Sequence, residues 1–76
     1  MNQLPVFLNL KDRKVLLLGS GEMADAKRRL YERAGAIITE DENARDVALA
    51  VVAVEDDEEA IATVTRLKER GLLVNA

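Results

Sequence analysis

The stretch that decides the fold is VLLLGSGEMADAKRRL, residues 15–30. Val15-Leu16-Leu17-Leu18 is an unbroken apolar run, the pattern of a strand covered on both faces in a parallel sheet. Gly19-Ser20-Gly21 interrupts it. From Glu22 the period changes, and Met23, Ala26 or Lys27, Leu30 and Ala34 recur at helical spacing, with Ala24 and Tyr31 widening that side. This predicts a helix over residues 22–34 whose apolar side faces a core. Asp25 and Arg29 form an i,i+4 pair of the favourable orientation, and Gly35 stands where a helix ends.

Outward from that stretch, an apolar leader runs from Leu4 to Leu10 and holds the only proline, Pro5, and the only phenylalanine, Phe7. Lys11-Asp12-Arg13 reads as a polar turn. Ala36-Ile37-Ile38-Thr39 predicts a second strand, Glu40 to Asp46 an irregular acidic connector, and Ala48 to Val54 a third buried strand. Glu55 to Glu59 then leads into Ala60, Ile61, Val64, Leu67 and Lys68 at helical spacing. Gly71 closes that helix, and Leu72-Leu73-Val74 opens a last strand. The order strand, helix, strand, strand, helix, strand predicts one α/β domain over residues 1–76. The expected architecture is a Rossmann-like half-domain, a parallel sheet of about four strands with two main helices on opposite faces.

Composition narrows the chemistry. The 76 residues carry a net charge of −3 with 3% aromatics, which argues against nucleic acid as a partner. No apolar run approaches the roughly 20 residues that span a bilayer. The amino terminus lacks a signal-peptide pattern, so the expectation is a cytoplasmic protein without membrane contact. Cysteine and histidine are both absent, removing thiolate chemistry, the commonest metal ligand and the commonest general base. Ser20 is the only serine, and without histidine no hydrolase triad can form.

Gly19-x-Gly21-x-x-Ala24 matches the dinucleotide-binding pattern G-x-G-x-x-G/A. Gly19 lets the strand turn sharply, Gly21 lets backbone approach a pyrophosphate, and Ala24 lets helix and strand pack closely. The phosphates would sit at the helix amino terminus, against free N–H groups. Glu40 follows the second strand, 21 residues past Gly19, where a carboxylate accepts from a ribose hydroxyl. A plain strand-to-helix corner explains the glycines as well, and S-adenosylmethionine suits a similar turn; Ala24 tilts the reading to a dinucleotide. Glu22 in the first turn would compete with phosphate for the same amides. The acids of residues 55–59 read as a helix start, with Asp56 or Asp57 as N-cap, in preference to a metal site. Lys27, Arg28, Arg29 and Arg33 read as a solvated helix face.

Leu4-Pro5-Val6-Phe7-Leu8-Asn9-Leu10, Arg13, the run Val15 to Ala24 and Lys27 together resemble the amino-terminal domain of siroheme synthases, the precorrin-2 dehydrogenase and sirohydrochlorin ferrochelatase family. The likeness continues through Ala34-Gly35-Ala36, Val52-Ala53, Asp56-Asp57 and Gly71-Leu72-Leu73-Val74-Asn75. It implies an oxidoreductase of siroheme biosynthesis that takes precorrin-2 to sirohydrochlorin with NAD. In many members a lyase step then inserts ferrous iron, and the family works as a homodimer. The cofactor-binding residues it implies at the turn are Gly19, Ser20, Gly21, Glu22, Met23 and Ala24, while Glu40, with Asp41 beside it, stands on the ribose side by the general dinucleotide-fold argument alone. Ala53, Val54 and Glu55 would lie on the nicotinamide side.

This sequence departs from the family at several places. Ser20 replaces a usual glycine, Met23 a common valine, Glu40 an apolar residue and Glu55 a frequent threonine, and the segment from Thr39 to Val47 is shortened. The family's Asn-Val-x-Asp segment supplies the proposed catalytic aspartate, whereas this sequence reaches Asn75-Ala76. The resemblance therefore implies an incomplete domain, with the dimerisation region and tetrapyrrole surface beyond it and no catalytic residue to assign. An alternative is a non-catalytic nucleotide-binding or sensor module completed by a partner chain. For so small a core, marginal stability is expected.

Overall fold

A computed structural model describes residues 9–76; the leader from Leu4 to Leu8 lies outside them. The elements are β1 (Lys14–Gly19), α1 (Glu22–Arg33), β2 (Ile37–Thr39), β3 (Val47–Ala53), α2 (Asp57–Glu69) and β4 (Val74–Asn75). The strands form one sheet in the order β2-β1-β3-β4, every pair parallel. This is the expected Rossmann-like α/β arrangement, and the strand order reverses direction between β1 and β3.

The unbroken apolar runs are explained by helices on both faces. Val15, Leu17, Leu49, Val51 and Ala53 are buried with Ala24 of α1 and with Leu10, the leader's last residue. The alternate residues Leu16, Ala50 and Val52 are buried with Leu67 of α2. Successive strand side chains point to opposite faces, so each strand supplies both layers.

Both helices end alike. The N–H groups of Gly35 and Ala36 donate to Glu32 and Tyr31 at 2.9 and 3.1 Å, and those of Gly71 and Leu72 to Lys68 and Leu67 at 2.9 and 3.2 Å. These are Schellman closures. They also trim the expected strands, because Ala36 and Leu72 spend their N–H groups on a helix; β2 begins at Ile37 and β4 at Val74. β3 runs one residue earlier than expected at each end, its last rung being Gly19 opposite Ala53.

The expected buried side of α1 is displaced. Met23 and Leu30 are 54% and 53% exposed, while Ala24 is 3% exposed and Lys27, Arg28 and Tyr31 are half-buried. The glycine turn presses the small Ala24 onto the sheet. One residue is about 100° of helix, so Met23 is swung away. Tyr31 packs against the core on this side in place of Leu30. The Asp25–Arg29 pair is not formed; among the described residues Arg28 pairs instead, with Glu40.

Between β2 and β3 the chain crosses β1 with only residues 40–46. Parallel strands usually need a dozen or more residues, often a helix. Here β2 is three residues long and its last residue, Thr39, lies level with Leu16, while β3 enters level with Lys14. The gap is two strand spacings sideways and two residues back, roughly 12 Å, well within the reach of seven residues. The loop is anchored by Lys14 Nζ, which donates to the Arg45 carbonyl at 3.1 Å. It is also held on the α2 side, where the Arg66 guanidinium donates to both Glu42 oxygens at 2.7 and 3.0 Å. Arg70 adds a bond to the Glu42 carbonyl at 2.8 Å. The first crossover moves one way along the sheet and this one moves back, so keeping one hand requires it to pass on the other face.

Candidate functional site

The carboxyl ends of β1 and β3 lie side by side where the sheet changes direction, the place where open α/β sheets bind ligands. An open cavity of about 260 Å³ sits there, lined by Gly19, Ser20, Val54, Glu55, Asp56 and Glu59. Four residues expected from sequence thus converge on it, two from each strand end.

Gly19 holds this geometry. Its φ is +134°, and a Cβ at this position would lie 2.1 Å from the Ala53 carbonyl oxygen. No side chain fits between the strands at this rung, so the turn is set by close approach of two backbones. Gly21 has φ +95° and is the N-cap of α1, with no side-chain hydrogen bond capping the helix. The first helical bond runs from Asp25 N–H to the Gly21 carbonyl at 3.0 Å. The N–H groups of Glu22, Met23 and Ala24 therefore precede the ladder and have no helical acceptor. Glu22 and Met23 are exposed at this end, and Ala24 is buried against the sheet.

The other wall differs in character. A Cβ on Gly21 would meet Glu55 Oε1 at 2.7 Å, so the Glu55 carboxylate lies over the glycine turn. Asp56 is committed elsewhere, its Oδ2 accepting from Glu59 N–H at 2.9 Å as the N-cap of α2. The reading of the acidic run as a helix start holds for Asp56. Ala53 is buried behind the cavity, and Val54 is half-buried with its side chain among the α2-face residues.

The second pair of expected residues stands apart from this cavity. Glu40 follows β2, and its carboxylate accepts from Arg28 Nη2 at 2.9 Å. Asp41 is used locally: its Oδ1 accepts from Asn43 N–H at 2.9 Å, and its own N–H donates to Thr39 Oγ1 at 3.1 Å. Arg28 was placed on a solvated face by its spacing; no local pattern marks a partner twelve residues away. Glu42 was likewise missed, because Arg66 and Arg70 reach it only through the fold. The Arg66 hydrogen bond, above all, holds the Glu42 carboxyl below its usual range; burial opposes it, and the charges of Arg66 and Arg70 add smaller lowering effects. The same hydrogen bond raises Arg66.

Among the described residues no helix is long and apolar enough to cross a membrane, and no group of three acidic side chains is arranged to hold a metal ion.

Comparison with known proteins places these features beside a specific group. No protein-family model matches the chain. A siroheme synthase of Psychrobacter cryohalolentis is 54% identical over 39 residues, 51% of this chain and 8% of that protein. One from Azotobacter vinelandii is 55% identical over 38 residues, 50% of this chain and 8% of that protein. Siroheme synthase 1 of Aeromonas salmonicida is 45% identical over 53 residues, 70% of this chain and 11% of that protein. The chain spans about a tenth of the length of the curated relatives it matches. Over half to seven tenths of its own length, then, this chain is similar to siroheme synthases, the family that its leader and glycine turn resemble.

Proposed function

We propose that this chain is the NAD-binding portion of a precorrin-2 dehydrogenase in siroheme biosynthesis, oxidising precorrin-2 to sirohydrochlorin. The observation that carries the reading is Gly19 pressed onto the Ala53 carbonyl at the reversal of strand order, next to an uncapped helix start. Similarity to siroheme synthases over at least half of the chain supports the choice of reaction. NAD, when bound, accepts a hydride at the nicotinamide ring.

The chain's own residues bind and orient. The backbone amides of Ser20 to Met23 would receive the pyrophosphate, with Gly21 leaving room for it and Ala24 fixing the helix on the sheet. Glu40, next to Asp41, would accept from the adenosine ribose hydroxyls once it exchanges Arg28 for the ligand. The strand-end segment Ala53-Val54-Glu55 would form the nicotinamide side. The cavity of about 260 Å³ falls below the range of whole-ligand pockets, so it would take one part of the dinucleotide while the rest lies toward β2. No side chain is assigned an acid or base role. The tetrapyrrole site, iron insertion, dimer formation and a cytoplasmic setting belong to the same proposal for the whole protein.

The test is isothermal titration of the chain with NAD⁺. Saturable one-to-one binding that is lost on Gly21→Val is expected, since a side chain there fills the space over the turn. Absence of binding would remove the cofactor reading and leave a structural corner.

A further inference from the structure

We propose that Glu55 is a built-in competitor for the phosphate place, so that its carboxylate and the dinucleotide exclude one another at the start of α1. The proposal rests on the NAD reading of this cleft. Its basis is the geometry of one side chain. Glu55 Oε1 lies 2.7 Å from where a Gly21 Cβ would stand. The carboxylate thus fills the space that the missing side chain opens, the same space a pyrophosphate needs to approach the backbone.

Among the described residues Glu55 makes no hydrogen bond and no ion pair, and it is exposed. Its neighbour Asp56 caps α2, and Glu59 supplies the N–H for that cap. Ser20 and Glu22 flank the turn, and no side chain caps α1. An uncapped helix start attracts an anion. Glu55, which lines the cavity beside Val54, places a covalently attached anion over that turn. A dinucleotide must displace the carboxylate, and rotation about the Glu55 side-chain bonds suffices because no hydrogen bond or ion pair among the described residues ties it down. Affinity for any pyrophosphate-bearing ligand is then lowered by the occupant and by the residual repulsion after it swings aside.

Titrations of the wild-type chain, Glu55→Gln and Glu59→Gln with NAD⁺, with inorganic pyrophosphate as competitor, test this. Glu55→Gln keeps the size and removes the charge, and an exposed unpartnered residue leaves the fold intact, which a melting curve verifies. NAD⁺ should bind Glu55→Gln about fivefold more tightly, the factor for relieving one like-charge contact in a water-like medium. Pyrophosphate should displace NAD⁺ from that variant at correspondingly lower concentration, and Glu59→Gln should stay near wild type. Equal NAD⁺ affinity in wild type and Glu55→Gln overturns the proposal while leaving the cleft assigned. An equal gain in Glu59→Gln overturns it too, reducing the effect to general charge at the rim. If no protein binds NAD⁺, proposal and cleft fall together.

Discussion

Gly19→Ala probes the contact on which the glycine turn is built. An alanine Cβ would stand 2.1 Å from the Ala53 carbonyl oxygen and 2.4 Å from its carbonyl carbon, both backbone atoms that cannot rotate away. Relief requires β1 and β3 to part by about 1 Å at the Gly19–Ala53 rung, a disturbance comparable to overpacking a core, about 1–3 kcal/mol. Holding an L-residue at φ +134° adds about 1–3 kcal/mol of backbone strain. The total, about 2–6 kcal/mol, compares with a stability of roughly 4–11 kcal/mol expected for 76 residues. Gly71→Ala separates the two contributions, since Gly71 has φ +83° but nothing within 4 Å of its would-be Cβ. It should lose only the strain, about 1–2 kcal/mol. Urea unfolding followed by far-ultraviolet circular dichroism reads both. With a slope near 1 kcal/mol/M for so small a domain, Gly19→Ala should lower the midpoint by about 2 M or more. If Gly19→Ala costs no more than Gly71→Ala, the close approach of the strands does not govern this turn.

Leu67→Ala, at a fully buried position beneath the sheet, should cost about 2–5 kcal/mol in the same assay, whereas Ile61→Ala, 67% exposed on the same helix, should be nearly neutral. The lowered Glu42 carboxyl gives a signed pH effect. Its stabilisation is complete above the unfolded-state value near 4.3 and is lost as pH falls through the lower folded value. Wild type should therefore lose more stability between pH 5 and 2 than Glu42→Gln, and parallel profiles would sink this account of the loop. Glu40→Ala should shift relative affinity from NAD⁺ toward NADP⁺ by roughly tenfold, since it removes a charged acceptor and frees Arg28 for a 2′-phosphate. An unchanged ratio in competitive titration means Glu40 does not read the ribose.

What was legible in the sequence followed from periodicity and from residues whose constraint is local. The runs Val15-Leu16-Leu17-Leu18 and Ala48 to Val54 marked the central strands because burial on both faces demands apolar residues at every position. Gly35 and Gly71 marked the helix ends because the closure needs a left-handed residue there. The orientation of α1 was misread because Met23 and Leu30 are the bulkier apolar residues. The glycine turn, not hydrophobicity, fixes which side meets the sheet. The Glu55 carboxylate over Gly21, the Arg28–Glu40 pair and the hold of Arg66 on Glu42 were beyond reach, since each joins residues that meet only once the strands are ordered.

The crossover at residues 40–46 has a mechanical consequence. It is gripped from opposite faces of the sheet: Arg28 of α1 holds Glu40, and Arg66 and Arg70 of α2 hold Glu42. The loop ties the two helices together past the carboxyl end of β2, so a shift of either helix bears on the two residues between Thr39 and Glu42. Those are Glu40 and Asp41, the residues proposed above to meet the ribose. On the proposed NAD reading, substitutions at Arg66 or Arg70 of α2 should alter selectivity for the cofactor's adenosine end without touching it.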